Sequence, residues 1–344
     1  MYYTGCDVHK RRCTLQHMDS DGALGLNKTV STTPGDLSGF LDKLNAPTIV
    51  TLEASCGYWW LSQFFMSHPK VADVHVVDPR RSKKIAEELS VLAGYGRASN
   101  DDIDAEMLAE LERMGLAPAI HLPTAEQLEM RTYNRHRLDF VQIKTLASNR
   151  IHGKLMLHGP HIIGISKLMN NADSRNKLFQ KLPGYVRFTI EDLMALITFC
   201  EQKIQRCEAE LEKLLPESHP EIKRIMSAPG FGPVFSRTVY TEILDINYFK
   251  GDPKYLISYA GLAPIHQDSD GKKKGVIKLN RHCNYYLKYA FVSAAHGARK
   301  NPHFRRKYEY DVKKQGKIIA KINLARRLAK SIYWMLIRQQ PFKF

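Results

Sequence analysis

The run Asn100-Asp101-Asp102-Ile103-Asp104-Ala105-Glu106-Met107-Leu108-Ala109-Glu110-Leu111 constrains this chain more than any other stretch. It reads as the first turns of a helix. Asn100 or Asp101 can cap the free N–H groups, and Ile103, Met107, Leu108 and Leu111 recur at helical spacing for a buried face. Asp101 and Asp104 are three apart, so their carboxylates lie on one side of the helix. Carboxylates held that close repel unless a cation lies between them, although a helix N-terminus tolerates acids through its dipole. The dipole would account for them in an isolated helix. Two further acids upstream point instead to a divalent-metal site.

Those acids are Asp7 and Glu53. Residues 2–8 read as a strand ending near Asp7, residues 13–18 alternate as a second, and Asp21-Gly22 is a turn signal before a third at 23–30. Thr33-Pro34 opens a helix with Leu37, Phe40, Leu41 and Leu44 on its apolar face. Residues 48–53 form a fourth strand with Glu53 at its end. A helix at 58–67, a strand at 74–77, a helix at 80–92 and the Asp101 helix follow. Hairpin-ordered strands followed by alternating helices and strands form the pattern of an α/β ribonuclease-H-like domain. In such sheets, strand carboxyl ends hold the site. Singly, Asp7 reads equally well as a strand-end turn residue and Glu53 as a helix-capping acid. Jointly, the four acids are oxygen donors suited to Mg²⁺ or Mn²⁺, and two ions about 4 Å apart would stabilise the attacking and leaving oxygens of a phosphodiester. Asp102 points about 100° away around the helix and reads as solvated. Asp78, at another strand end, is a spare.

The formal net charge of +16 is unevenly placed. From Lys250 onward 22 lysines and arginines stand against 5 acids, a net of +17, while the first 249 residues carry 29 against 30. Cationic excess confined to one end is the footprint of a polyanion partner. The six cysteines form no C-x-x-C pair and no zinc spacing, which points to reduced thiols in the cytosol. No signal peptide is visible, and no apolar run reaches the length of about 18 residues needed to span a membrane.

Residues 125–157 read as a helix carrying Arg131, Arg135, Arg137, Lys144, Arg150 and Lys154, and residues 190–215 as a second long helix with apolar residues three and four apart. Such a pair suits an α-helical coiled-coil middle, with pairing inside one chain or between chains left open. Ala228-Pro229-Gly230-Phe231-Gly232-Pro233 resembles the hairpin of helix-hairpin-helix modules, in which backbone N–H groups contact phosphates; a glycine-rich turn between helices also needs no ligand. Ser269, on a loop with Lys272, Lys273 and Lys274, has two readings. It is a polar turn beside solvated charge, or a nucleophile facing a phosphodiester that the lysines neutralise. Further basic positions, Lys278, Arg281, Arg305, Arg306, Arg326 and Arg327, lie on or near probable helices and are expected along a nucleic-acid backbone. The expected domains are residues 1–122, the helical region 123–219, and a small, mainly helical basic domain at 220–344.

Taken together these motifs resemble the transposases of the insertion-sequence-110 family, which include the Piv-type DNA invertases. The resemblance runs through Gly5-Cys6-Asp7, Leu52-Glu53-Ala54-Ser55-Cys56-Gly57-Tyr58 and Asp101-Asp102-Ile103-Asp104-Ala105 of a RuvC-like DEDD domain. It continues through Ala228-Pro229-Gly230-Phe231-Gly232 and Tyr259-Ala260-Gly261-Leu262-Ala263-Pro264 of the second transposase domain. It implies that Asp7, Glu53, Asp101 and Asp104 hold the metal ions, and that Ser269 attacks DNA to form a transient phosphoserine link. It also implies a homo-oligomer, dimer or tetramer, with the acids and serine of one site drawn either from one subunit or from two, and a structured guide RNA that pairs with element ends and target DNA. The chain departs from the family pattern at Asp270, where Gly usually follows the serine, and at Cys283, where Gly usually precedes Asn284.

The expected function is thus an RNA-guided, Mg²⁺-dependent DNA recombinase, cytoplasmic in a bacterium and associated with the nucleoid while acting. The alternatives are a junction-resolving nuclease that uses metal-activated water, and a non-catalytic nucleic-acid-binding scaffold.

Overall fold

The computed structural model describes residues 1–92, 100–159, 164–265, 268–269, 272–273, 278–280 and 282–343, with the side chains of 90–92, 265, 268–269, 272–273 and 278 left out. The chain divides into two compact units, Met1–Leu122 and Pro123–Phe344.

In the first unit, β1 (Tyr2–Val8), β2 (Arg12–Met18) and β3 (Leu24–Ser31) run antiparallel as a meander. Helix α1 (Pro34–Leu41) then leads to β4 (Thr48–Glu53), and α2 (Tyr58–Ser67) to β5 (Val71–Val77). The sheet is mixed, in the order β3-β2-β1-β4-β5, with β4 parallel to both β1 and β5. Helices α3 (Pro79–Leu92) and α4 (Asp101–Arg113) complete the unit. This arrangement is compatible with a ribonuclease-H-like domain.

Side chains alternate across a strand, and here the two faces have opposite chemistry. Cys6, Val8, Cys13, Leu15, Val50, Leu52, Val74 and Val76 form one buried face against Leu37, Phe40 and Leu41 of α1 and Leu61 and Phe65 of α2. Gly5, Asp7, Thr14, Gln16, Thr51, Glu53 and His75 alternate with them on the face that receives α4. Because that face is small and polar, α4 approaches closely. Its buried residues are Ala105, Leu108, Ala109 and Leu111, and Ala105 and Ala109 lie over Gly5. Ile103 and Met107, expected from sequence in the buried stripe, line a cleft instead.

The second unit opens with α5 (Ala125–Leu157), followed by the short α6 (Ile165–Asn170) and α7 (Ala172–Phe179) and then α8 (Gly184–Leu214). The two long helices pair antiparallel within one chain, with Arg137 bonded to Glu208 and Lys144 to Glu201. Next come α9 (Pro220–Met226), α10 (Pro233–Ile243), a 3-10 turn at Ile246–Phe249, α11 (Pro253–Tyr259), and four two-residue strands: β6 (Pro264–Ile265), β7 (Asp268–Ser269), β8 (Lys272–Lys273) and β9 (Lys278–Leu279). Helices α12 (Tyr285–Ala298) and α13 (Pro302–Arg338) close the unit. Its core gathers Phe231, Val239, Leu256, Phe291, Ala294, Leu324, Leu328, Ile332 and Tyr333.

The regions 123–219 and 220–344, read from sequence as separate domains, belong to this single unit. The Glu242 side chain of α10 is fully buried, and both its oxygens accept from Arg135 of α5 at 2.8 Å. Arg131 of α5 adds bonds to the carbonyls of Thr241 and Glu242 at 3.1 and 3.2 Å. Among the described residues no helix is long and apolar enough to cross a membrane.

Candidate active site

Parallel pairing of β1 with β4 sets Gly5 opposite Thr51 and Cys6 opposite Leu52, so Asp7 and Glu53 follow at one level on one face of the sheet. Asn100 starts α4 above them, its Oδ1 accepting from Ile103 N at 2.9 Å. The first turn carries Asp101, Asp102 and Asp104. Asp7, Glu53 and Asp104 line one cleft of about 370 Å³, with Ile103, Met107 and Leu108 on its α4 side. Asp101 joins them through His9, whose Nε2 is 3.0 Å from Asp7 Oδ2 and 3.3 Å from Asp101 Oδ1. Asp102 is exposed, in line with its reading as a solvated residue. Asp78 Oδ1 accepts from Arg80 N and Arg81 N and so caps α3.

The electrostatics tie these acids together. Burial pushes the Asp7 carboxyl above its ordinary value; His9 opposes this, and the charges of Asp101 and Asp104 add to it. Burial also raises Glu53, against the hydroxyl of Ser82, which donates to Glu53 Oε1 at 3.0 Å; Asp7, Asp104 and Asp78 raise it further. Asp7 and Glu53 are half-buried beside the partly exposed Asp101 and the exposed Asp104, so ionising them is costly, and a cation removes that cost. Ligand atoms of Asp7, His9 and Asp101 all lie within 4.8 Å of one another. Carboxylate oxygens dominate the donor set, the chemistry of Mg²⁺ and Mn²⁺, with one imidazole that Mn²⁺ accepts more readily. The residues therefore fit a divalent ion.

The wall of the cleft opposite α4 is cationic. Arg80 and Lys83 of α3 line it together with Ser82, Ala86 and Glu87. An acidic floor facing a basic wall can hold a metal and an anionic diester side by side. Sequence reading missed His9, Arg80 and Lys83. The signal for His9 was its position two residues past Asp7, just beyond the strand end.

The remaining sequence candidates lie in the second unit. Gly230 (φ +88) packs so tightly on α12 that a side chain would overlap the Ala294 carbonyl, a packing reason for glycine. Gly232 stands in open surroundings at the N-terminus of α10. Ser269 lies opposite Lys272 in the β7–β8 ladder, and Asp268 opposite Lys273. The side chains of Ser269, Lys272, Lys273 and Lys278 lie outside the described residues, as do Lys274, Asp270 and Arg281. The segment that carries Ser269 is closed at its base: Asn284 N donates to the Tyr259 carbonyl at 2.8 Å, and Gly261 (φ +63) has room for no side chain beside Cys283. Arg305 pairs with Glu309, and Arg306 is exposed. Arg326 Nε donates to the Leu262 carbonyl at 2.6 Å, and Arg327 to Asp311 at 2.7 Å, so both have structural partners inside the unit.

Two family models match the chain. The DEDD transposase model of the IS110 group, described as transposase, covers residues 4–160, and that described as transposase of the IS116/IS110/IS902 family covers residues 222–309. The chain belongs to the IS110 family of transposases. Among relatives of this IS110-family chain, the transposase for insertion sequence element IS1111A of Coxiella burnetii is 24% identical over 263 residues, spanning 71% of this chain and 68% of the relative. The transposase for insertion sequence element IS1328 of Yersinia enterocolitica is 23% identical over 297 residues, 85% of this chain and 82% of the relative. The first family model takes in Asp7, Glu53, Asp101 and Asp104, and the second takes in Gly230, Gly232 and Ser269.

Proposed function

We propose that this chain cleaves DNA and exchanges strands at the ends of an insertion element, using Mg²⁺ or Mn²⁺ held by Asp7, Glu53, Asp101 and Asp104 in a ribonuclease-H-like domain. His9, between Asp7 and Asp101, is a fifth candidate ligand. The observation that carries the reading is the convergence of Asp7, Glu53 and Asp104 on one cleft with a cationic wall, with Asp101 joined to Asp7 through His9, in a chain of the IS110 family. When bound, divalent ions would stabilise the negative charge that develops on the attacking and leaving oxygens of the diester.

The protein groups have separate tasks. Arg80 and Lys83 bind the phosphate backbone beside the acids and orient it. The Ser82 hydroxyl keeps the Glu53 carboxylate in place. Ser269 supplies the nucleophile: its oxygen bonds to phosphorus, the bond to the departing 3′ or 5′ oxygen breaks, and the reverse attack by a new strand end releases the serine. Lysines 272–274 neutralise the phosphate under attack. A structured RNA encoded beside the reading frame selects the DNA by base pairing, and the protein acts as an oligomer.

The test uses the full chain expressed with the DNA that flanks its coding frame, together with a donor and a target plasmid. Asp7→Asn and Asp104→Asn should each abolish cleavage. Ser269→Ala should abolish strand exchange and the covalent protein–DNA adduct. Continued cutting by Ser269→Ala with no adduct in the wild type would convert the reading to a hydrolytic nuclease. Unchanged cleavage by Asp104→Asn would remove the metal site from the mechanism.

A further inference from the structure

Helix α13 is two helices, because Gly316 (φ 82, ψ 165) leaves helical geometry between them. The arms run antiparallel: Gln315 bonds Asn323, and four residues further from the bend on each arm Asp311 bonds Arg327. Asp311, 5% exposed, braces the two arms by also taking Asn323 at 3.5 Å and Lys307 at 3.8 Å. Beyond that brace the hairpin projects. Residues 313–319 are all exposed, and they include Lys313, Lys314 and Lys317. No acid follows Asp311 in the sequence.

A cationic tip alone would be ordinary. This one also carries two adjacent aliphatic residues, Ile318 at 81% exposure and Ile319 at 43%. Six residues before the bend Tyr310 is 52% exposed, with Lys307 Nζ 4.5 Å and Lys314 Nζ 6.0 Å from its ring centre. Apolar side chains surrounded by lysines suit an anionic partner that also has an apolar interior reachable from its edge. Duplex DNA has both: a phosphate backbone, and stacked bases between which an aliphatic wedge can enter. The tip has no arginine and no carboxylate, and its one amide, Gln315, is already bonded to Asn323, which leaves the lysines as compact point charges for phosphates.

We propose that this hairpin tip is a wedge for duplex DNA, in which the three lysines contact phosphates and Ile318 enters a base step and unstacks it. The wedge would favour steps that open easily rather than a particular sequence. It rests on the reading of the chain as one that acts on DNA, and gives that activity a means of opening the duplex.

The test reads binding alone, with the full chain and no added divalent metal, on a short duplex and on the same duplex carrying a central mismatch flanked by 2-aminopurine. The wild type should prefer the mismatched duplex by about tenfold and raise its fluorescence, because the unstacking is already made. Ile318→Ala should lose the preference and the fluorescence rise with an unchanged salt dependence, and Ile318→Leu should restore both. Replacing Lys313, Lys314 and Lys317 with Ala should flatten the log–log salt slope by about 2–3 while keeping the preference. Duplex binding with full preference in Ile318→Ala overturns the wedge alone. So does an effect of Ile318→Ala confined to an RNA hairpin, or confined to self-association in mass photometry. Failure of the wild type to bind either duplex overturns the wedge, whereas the reading of the chain as a recombinase stands or falls on the plasmid assay, which supplies the flanking DNA and the metal.

Discussion

Gly5 on β1 and Ala105 on α4 touch through their backbones: any side chain at Gly5 would overlap the Ala105 carbonyl and stand 2.7 Å from the Ala109 amide nitrogen. This contact sets the height of α4 above the sheet, and so the distance from Asp101 and Asp104 to Asp7. Gly5→Ala should force the helix outward at a cost of about 1–3 kcal/mol, the range for overpacking a close-packed contact. Urea unfolding of the full chain gives the first number. The more telling measurement is the rise in Tm on adding Mn²⁺, which should be largely lost in Gly5→Ala while the far-ultraviolet circular dichroism stays that of the wild type.

The surroundings of Glu53 disfavour its ionised form. Its carboxyl is raised above the ordinary value first by burial and then by Asp7, Asp104 and Asp78, with Ser82 working against them. Because the folded value lies above the unfolded one, folding loses stability as pH rises from the unfolded value of about 4.5 through the folded one. Glu53→Gln keeps an acceptor for Ser82 and removes the charge. In EDTA at pH 7 it should raise Tm by about 2–4 °C, the scale of a single well-placed repair. It should abolish DNA cleavage, and near pH 4 its advantage in Tm should vanish. A Tm equal to wild type at pH 7 would mean that the acids do not strain the metal-free fold.

Much of the first unit was legible because its signals are local. Cys6 and Val8, or Val50 and Leu52, alternate with period two and give the strands. Asn100 announces the start of α4, and its side chain caps Ile103 as the sequence implies. The seating face of α4 was legible only in part: Leu108 and Leu111 are buried as the spacing implies, but Ala105 and Ala109 were not read. Hydrophobic periodicity weights large residues and so selected Ile103 and Met107, whereas close approach to Gly5 needs Ala105 and Ala109. His9 was invisible for another reason: it becomes informative only when Asp7 and Asp101, 94 positions apart in the chain, reach the same nitrogen. Arg326 and Arg327 look like nucleic-acid contacts in a basic run, but the carbonyl of Leu262 and the carboxylate of Asp311 take them into the fold. No local pattern reports a carbonyl acceptor that far away. The segment around Ser269 gave the sequence only a serine among lysines.

Glu242 is the node of the second unit. Fully buried, it accepts from Arg135 at both oxygens and from Asn284 Nδ2 at 2.8 Å, and Asn284 in turn caps α12 through Leu287 N at 3.0 Å. Glu242→Ala leaves Arg135 without a counter-charge and should cost about 3–5 kcal/mol, against a smaller loss in a Glu242→Met, Arg135→Met double variant. Guanidinium unfolding of the three proteins checks this. A double variant less stable than Glu242→Ala would show that the ion pair contributes net stability here rather than specificity of packing.

His75 fastens the other end of α4, and it does so in a pH-dependent way. Its Nδ1 is 2.8 Å from Glu112 Oε1, Glu112 Oε2 accepts from Thr51 at 3.0 Å, and His75 Nε2 is 3.4 Å from Asp73. The imidazole is raised above its ordinary value chiefly by the hydrogen bond to Glu112; partial burial lowers it, and the charges of Glu112 and Asp73 raise it further. For a histidine raised on folding, the contribution to stability is complete below the unfolded value near 6.5 and disappears as pH climbs through the higher folded value. His75→Gln should therefore be less stable than wild type at pH 5.5, with the gap closing as pH climbs through the raised folded value, beyond which neutral imidazole and amide make comparable bonds to Glu112. Paired Tm measurements across that range in EDTA decide it. A gap that widens with pH would mean that the histidine is held neutral and that Glu112 is not its charge partner.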